Sequence, residues 1–170
     1  NKPICQDIIN EQISLNIEIK ELYLNYFQNS LYDIGEMWEK NIISVAIEHM
    51  ATTITESMMI KAYPLIFSKE KKGKKAIITC VANEYHQIGA RMVADIFELN
   101  GWDGYFLGAN TPCNDLLTMI EAIKPDIVGL SMSIYFNLKE ILTLLDKIKF
   151  YFPDQELIVG GQAFRWGGID

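Results

Sequence analysis

Apolar residues recur along this chain with two different periods, and the change falls near residue 68. Between 18 and 39 they occupy positions 19, 22, 23, 26, 27, 31, 34, 37 and 38, the spacing of one helical face. A second long helix is expected over 44–67, with Ser44 as its N-cap and Ile47, Met50, Ile54 and Met58 down one side. A shorter helix is expected within 4–13. Helices of this kind bury their apolar faces against one another as a bundle. Residues 68–75 then read as a linker.

Beyond residue 75 short apolar strands alternate with helices. Strand 75–82 precedes helix 86–100, which Asn100-Gly101 closes. Strand 104–107 leads through 108–112 into a helix ending near Lys124, with Thr111 as its cap and Pro112 at its first position. Pro125-Asp126 opens strand 127–131; helix 137–151 and strand 156–160 follow. This order implies right-handed βαβ units and a doubly wound parallel sheet. The expected class is α/β: an N-terminal helical bundle over 1–67, then a Rossmann-like domain over 75–170. The chain has no initiator Met, begins inside an expected helix and stops soon after its fourth strand, so both ends read as cut and the second domain as C-terminally incomplete.

Composition narrows the classes. At 170 residues, 49% hydrophobic and 22% charged, the chain can fill a globular core. Its net charge is −7, and the five lysines between 69 and 75 are interrupted by Glu70, so they read as a solvated linker rather than a nucleic-acid contact. No uninterrupted apolar run reaches the ~18 residues of a membrane span. Cys5, Cys80 and Cys113 are odd in number and widely spaced; they fit a reducing cytoplasm and make no metal-site spacing.

The densest chemistry lies after the first strand, where residues 84–89 read Glu-Tyr-His-Gln-Ile-Gly. Ligands of open α/β sheets bind at the carboxyl edge, where this loop is expected. A metal-bound histidine commonly gives its second ring nitrogen to a carboxylate. Here His86 is the candidate metal ligand, Glu84 its partner, and Gly89 a position that tolerates close approach. Alone, a loop histidine beside a glutamate is an ordinary surface pair.

Three loops in order carry a resemblance. His86-Gln87-Ile88-Gly89 resembles the His-x-x-Gly loop of cobalamin-binding domains. Ser131-Met132-Ser133 resembles their Ser-x-Leu loop, with serine in the leucine place, and Gly160-Gly161 their glycine pair. The resemblance implies that the nucleotide tail of the cofactor leaves the cobalt for a slot lined by serines, with the paired glycines letting it pass close to backbone. His86 would then take the freed lower cobalt position, tuned by Glu84 where the family usually has Asp. Singly, Gly160-Gly161 is a plain turn and Ser131 a strand-end cap.

In the helical half, Trp38 is followed ten residues later by Glu48-His49. This looks like the Trp…Glu-His signature of the light-dependent cobalamin regulators of the CarH type, within the MerR family. The likeness implies adenosylcobalamin as cofactor, a helical bundle over the upper cobalt face, Trp38 packed on the adenosyl group, and Glu48 and His49 helping to hold it. It further implies light-driven loss of that group, a switch between oligomeric states of a dimer or tetramer, and DNA contact only through a domain outside these residues. The alternative for Trp38 is bundle core, and for Glu48 a surface charge. One position departs from the pattern. Where those sensors place a histidine directly after the tryptophan, this chain has Glu39, so His49 or water would take the upper site after photolysis. No catalytic residue is expected. A corrinoid carrier of a methyltransferase system is the rival reading; a flavodoxin-like module and an isomerase subunit are more distant ones.

Overall fold

The computed structural model describes residues 1–67 and 70–166, and the chain divides into two compact units, 1–67 and 68–170. The expected reading of Ser68, Lys69 and 167–170 lies outside the described residues.

The first unit is helical throughout: α1 (Lys2–Ser14), α2 (Ile19–Glu21), a π-helical segment (Leu22–Gln28), α3 (Asn29–Glu39), α4 (Val45–Ala62) and a 3-10 turn (Tyr63–Leu65). The predicted helix over 18–39 is thus one helical run with a wide-turned segment at its centre. That segment brings Leu22, Tyr23 and Phe27 into the core with Ile9, Ile19, Met58, Met59, Ala62 and Ile66. The Tyr23 and Phe27 rings lie 5.8 Å apart. Two expectations need correction. Ser44 holds the extended cap conformation ahead of α4 but makes no side-chain cap bond. The α4 face drawn through Ile47, Met50, Ile54 and Met58 is buried only toward its C-terminal end; Ile47 and Met50 are exposed, with Met37, Trp38, Ile42 and Val45. Periodicity identifies an apolar stripe, not what covers it.

The second unit is a Rossmann-like sheet of four parallel strands: β1 (Lys75–Cys80), β2 (Asp103–Phe106), β3 (Ile127–Ser131) and β4 (Glu156–Gly160), in the order β2-β1-β3-β4. Helices α5 (Ile88–Leu99), α6 (Cys113–Ile123), α7 (Leu138–Tyr151) and the short α8 (Ala163–Trp166) connect and follow them. Because side chains alternate across a strand, β1 feeds two cores. Ala76, Ile78 and Cys80 pack with Ala90 and Ala94 of α5, while Ile77 joins Leu116 and Ile120 of α6 and Ile141, Leu144 and Ile148 of α7. Strand order reverses between β1 and β3, the crevice where such sheets bind ligands.

Local chemistry departs from expectation in two places. Thr111 does not cap α6. Pro112 stands at the cap position, and the Thr111 hydroxyl is bonded to that of buried Thr79 at 2.6 Å. The lysine run is also not merely solvated. Lys71 pairs with Glu98 at 2.9 Å and Asp103 at 3.2 Å, Lys74 lies over the Trp102 ring, and the Lys72 amide donates to the Gly101 carbonyl at 2.7 Å. Among the described residues no helix is long and apolar enough to cross a membrane.

The glycine pair after β4 splits into two roles. Gly161 has φ +118°, and a Cβ there would overlap the Met132 backbone; Gly160 has nothing within 4 Å of where its Cβ would stand. Gly161→Ala is therefore expected to lose roughly 2 kcal/mol, a fall of several degrees in Tm. Gly160→Ala is expected to melt like the parent. Thermal melts of both variants check this, and equal melting of the two would refute it.

Candidate functional site

The site grows from the end of β1. Asn83 adopts a left-handed turn, φ +65°, so the chain reverses just after the strand. Its amide donates to Asn110 Oδ1 at 2.8 Å, and the Asn110 amide donates to the Glu84 carbonyl at 2.8 Å, which ties the β1 and β2 loops together. The turn sends the Glu84 side chain inward, fully buried, and the His86 ring outward, with 57% of its side chain exposed.

The two oxygens of Glu84 serve different loops. Oε1 accepts from His86 Nδ1 at 2.6 Å and from the His86 amide at 3.0 Å. Oε2 accepts from the Ser133 amide at 2.8 Å, the Ile134 amide at 2.9 Å and Asn137 Nδ2 at 3.2 Å. Burial pushes the carboxyl up, but the hydrogen bonds from His86, Ile134 and Ser133 outweigh it and hold the value down to about 2. An ionised acceptor on Nδ1 fixes the proton there, so the lone pair of the neutral ring lies on Nε2. Beneath the loop, Cys80 Sγ donates to the His86 carbonyl at 3.7 Å. Burial and the neighbouring Glu84 charge raise its thiol to about 12, against a smaller opposing bond with Ser131.

The sequence-predicted residues of the second unit gather at one sheet edge. Glu84, His86 and Gly89 follow β1, Ser131 ends β3 with Ser133 just beyond, and Gly160 and Gly161 close β4. A Cβ on Gly89 would also meet nothing within 4 Å. Ser133 enters through its backbone amide, a role its residue type does not announce. The residues missed by sequence reasoning are Asn137, which is buried and also donates to the Asn83 carbonyl at 3.2 Å, and the Ile134 amide. An asparagine just ahead of a helix reads as a cap, so its residue type hid the role. In the first unit Trp38 is 49% exposed near the end of α3. Glu48 accepts from His49 Nδ1 at 2.7 Å and from the Thr52 hydroxyl at 3.1 Å.

The donor set fits a corrinoid. One imidazole, oriented by a carboxylate, suits a cobalt whose four equatorial nitrogens come with the macrocycle. The open space beside Gly160 and Gly89 is room that a Cβ would fill.

The Glu84 shift has a sign that can be tested. Its folded value is depressed from 4.5 to about 2, so its contribution is complete above 4.5 and is lost as pH falls from there through about 2. The contribution at neutral pH is about 3 kcal/mol. Glu84→Gln turns an amide toward the Ser133 and Ile134 donors. It is expected to be less stable at pH 7 by a similar amount and to show a flatter acid dependence. Urea unfolding across a pH series checks both; parallel curves for the two proteins would contradict them.

Comparison with known proteins identifies the domain family. Profiles described as a B12 binding domain match residues 74–167 and residues 1–61. The HTH-type transcriptional repressor CarH of Myxococcus xanthus is 25% identical over 169 residues, covering 97% of this chain and 54% of that protein. The repressor CarA of the same organism is 25% identical over 123 residues, and the trimethylamine corrinoid protein of Methanosarcina barkeri 23% over 133 residues, covering 72% and 75% of this chain and 42% and 60% of those proteins. The chain spans about half the length of the repressors it matches. Among solved structures, the monomethylamine corrinoid protein of Methanosarcina barkeri superposes with a TM-score of 0.80 at 15% identity, covering 95% of this chain and 79% of that one. A cobalamin-binding protein from Desulfitobacterium hafniense DCB-2 gives 0.51 at 21%, covering 95% and 78%. With one such profile extending over more than half of its length, the chain belongs to the B12 binding domain family.

Proposed function

We propose that this chain is the adenosylcobalamin-binding, light-sensing module of a transcriptional regulator. The observation that carries the cobalamin part is the His86 imidazole at the sheet's switch point, exposed and oriented at 2.6 Å by a buried carboxylate. His86 would hold the cobalt from below. Gly89, Ser131, Ser133, Gly160 and Gly161 would border the nucleotide tail. Bound adenosylcobalamin supplies a light-labile cobalt–carbon bond.

The light-sensing part rests on residues 1–67, which would cap the upper cobalt face. An exposed indole at Trp38 suits stacking on a flat base. The Glu48 carboxylate, steadied by His49 and Thr52, is an acceptor for ribose hydroxyls. Similarity to CarH over 97% of the chain supports the same reading. Loss of the ligand from Trp38 would bias a two-state element and change oligomeric state, with DNA contact through a domain outside this chain. Residue 39 is Glu, so the upper position after light would fall to His49 or to water rather than to the histidine that follows Trp in the CarH pattern. The second reading, a corrinoid carrier in methyl transfer, is favoured by the likeness to the two methylamine corrinoid proteins.

Absorption of protein reconstituted with adenosylcobalamin in darkness and then under green light separates the two. The sensor reading expects a spectrum typical of histidine ligation that changes on illumination, together with a shift in size-exclusion elution. A light-indifferent spectrum at constant size would move the function to the carrier. For either, Glu84→Gln is expected to weaken cobalamin binding about 10–100-fold, as loss of a ligand's hydrogen-bond partner does. Titration followed by absorbance measures this, and affinity within two-fold of the parent would overturn the role assigned to Glu84.

A further inference from the structure

The run from Ile19 to Glu39 is helical without a break, yet its middle is wound differently from its ends. Leu22–Gln28 is π-helical. In such a helix amides reach back five residues rather than four, so the turn holds one more residue than an α-helix would. Segments of this kind are rare and gather at functional sites. Core contact holds this one open. Leu22, Tyr23 and Phe27 are all buried, although the step from Leu22 to Phe27 is one residue too long for a shared α-helical face. At the exit the Asn29 amide turns back to the Tyr26 carbonyl, and the Asn25 carbonyl accepts from Asn29 Nδ2 at 3.4 Å.

The helix that follows is held lightly. α3 contains no buried residue, and Leu31 and Ile34 are half-buried. Those two continue the stripe that Phe27 begins, and Trp38, about three α-helical turns beyond Phe27, completes it. The facing of the indole is therefore inherited from the wide turn. Closing that turn to α-helix, with Leu22 and Tyr23 in place, would rotate all that follows by ~100° and shift it by ~1.5 Å. Tyr26 would then replace Phe27 in the core, one aromatic ring for another, and Met37 would take the facing that Trp38 has now. Closing gains regular hydrogen bonding and costs the partial burial of Leu31 and Ile34, whose places fall to Ser30 and Asp33. These opposed contributions leave the closed form as a minor one.

We propose that the segment 22–39 has two registers, and that the wide turn at 22–28 sets which way Trp38 faces. The proposal rests on the reading of Trp38 as a contact of the upper ligand and adds the device that presents it. A flat ligand on the indole favours the wide register, because only that register offers Trp38 to it.

The test labels the tryptophans of the full chain as 5-fluorotryptophan, assigns the Trp38 signal with Trp38→Phe, and follows its fluorine relaxation dispersion. That measurement detects register changes on the microsecond-to-millisecond scale. The proposal expects exchange with a minor register populated at roughly 1–10%, and loss of that exchange when adenosylcobalamin is added in darkness. Deletion of Asn25, an exposed residue of the turn, is the deciding variant. It brings Leu22 and Tyr23 to α-helical spacing from Phe27 and leaves 29–39 facing as before. The shortened chain is expected to melt no lower than the parent and to show no exchange at Trp38. A flat profile for the parent overturns the proposal, as does exchange that persists undiminished after the deletion. Exchange that the deletion abolishes but adenosylcobalamin leaves unchanged upholds the two registers and overturns the reading of Trp38 as a ligand contact. Should the shortened chain not fold, backbone dispersion on the parent decides. A register change gives residues 22–39 one common rate, whereas motion of the indole alone leaves their amides flat and sinks the proposal.

Discussion

The arrangement at the carboxyl edge of the sheet depends on one ionised carboxylate buried in the protein. Taking a charge out of water is costly unless it is fully hydrogen-bonded. Glu84 meets that condition with five donors, three backbone amides and two side chains. The arrangement sets which ring nitrogen of His86 carries the proton, where the β1 loop turns, and where β3 hands over to α7. Val81 and Met132 anchor the starts of the two loops in the core, and beyond them the polar contacts to Glu84 hold the turns.

A glutamate rather than an aspartate at this place fits the geometry. The carboxylate must reach the His86 ring two residues on and also the amides beyond β3, the strand hydrogen-bonded next to β1. One extra methylene gives that reach. The same strand pair marks the reversal of strand order, so the topology brings these two loops together before any side chain is chosen. Site and fold are in this sense one problem: the sheet fixes the neighbours, and Glu84 joins them.

Much of this was legible in the sequence, for identifiable reasons. Strands β3 and β4 fall at 127–131 and 156–160 as expected, because Pro-Asp pairs precede each and the runs between are apolar. His86, Gly160 and Gly161 stood out because, taken together and in order, their loops resemble those of cobalamin-binding domains. What stayed hidden involves partners distant in sequence. Three of the donors to Glu84 are backbone amides, which leave no trace in residue identity. Thr111 reads as a helix cap until buried Thr79 is seen beside it. Nor did the apolar stripe on α4 reveal that Ile47 and Met50 remain exposed. In each case a local pattern was correct about residue type and silent about what lay opposite.

The thiol under the histidine loop carries a consequence for ligand competition. Cys80 lies close enough to bond the His86 carbonyl, and thiolate is both a nucleophile and a strong ligand for soft metals. With its ionisation pushed up to about 12 by burial and by the Glu84 charge, it stays in the protonated form throughout the physiological range. Burial does most of this, and the carboxylate that orients the His86 ring adds to it. Buried in the core between β1 and α5, the sulfur is held as a packed thiol.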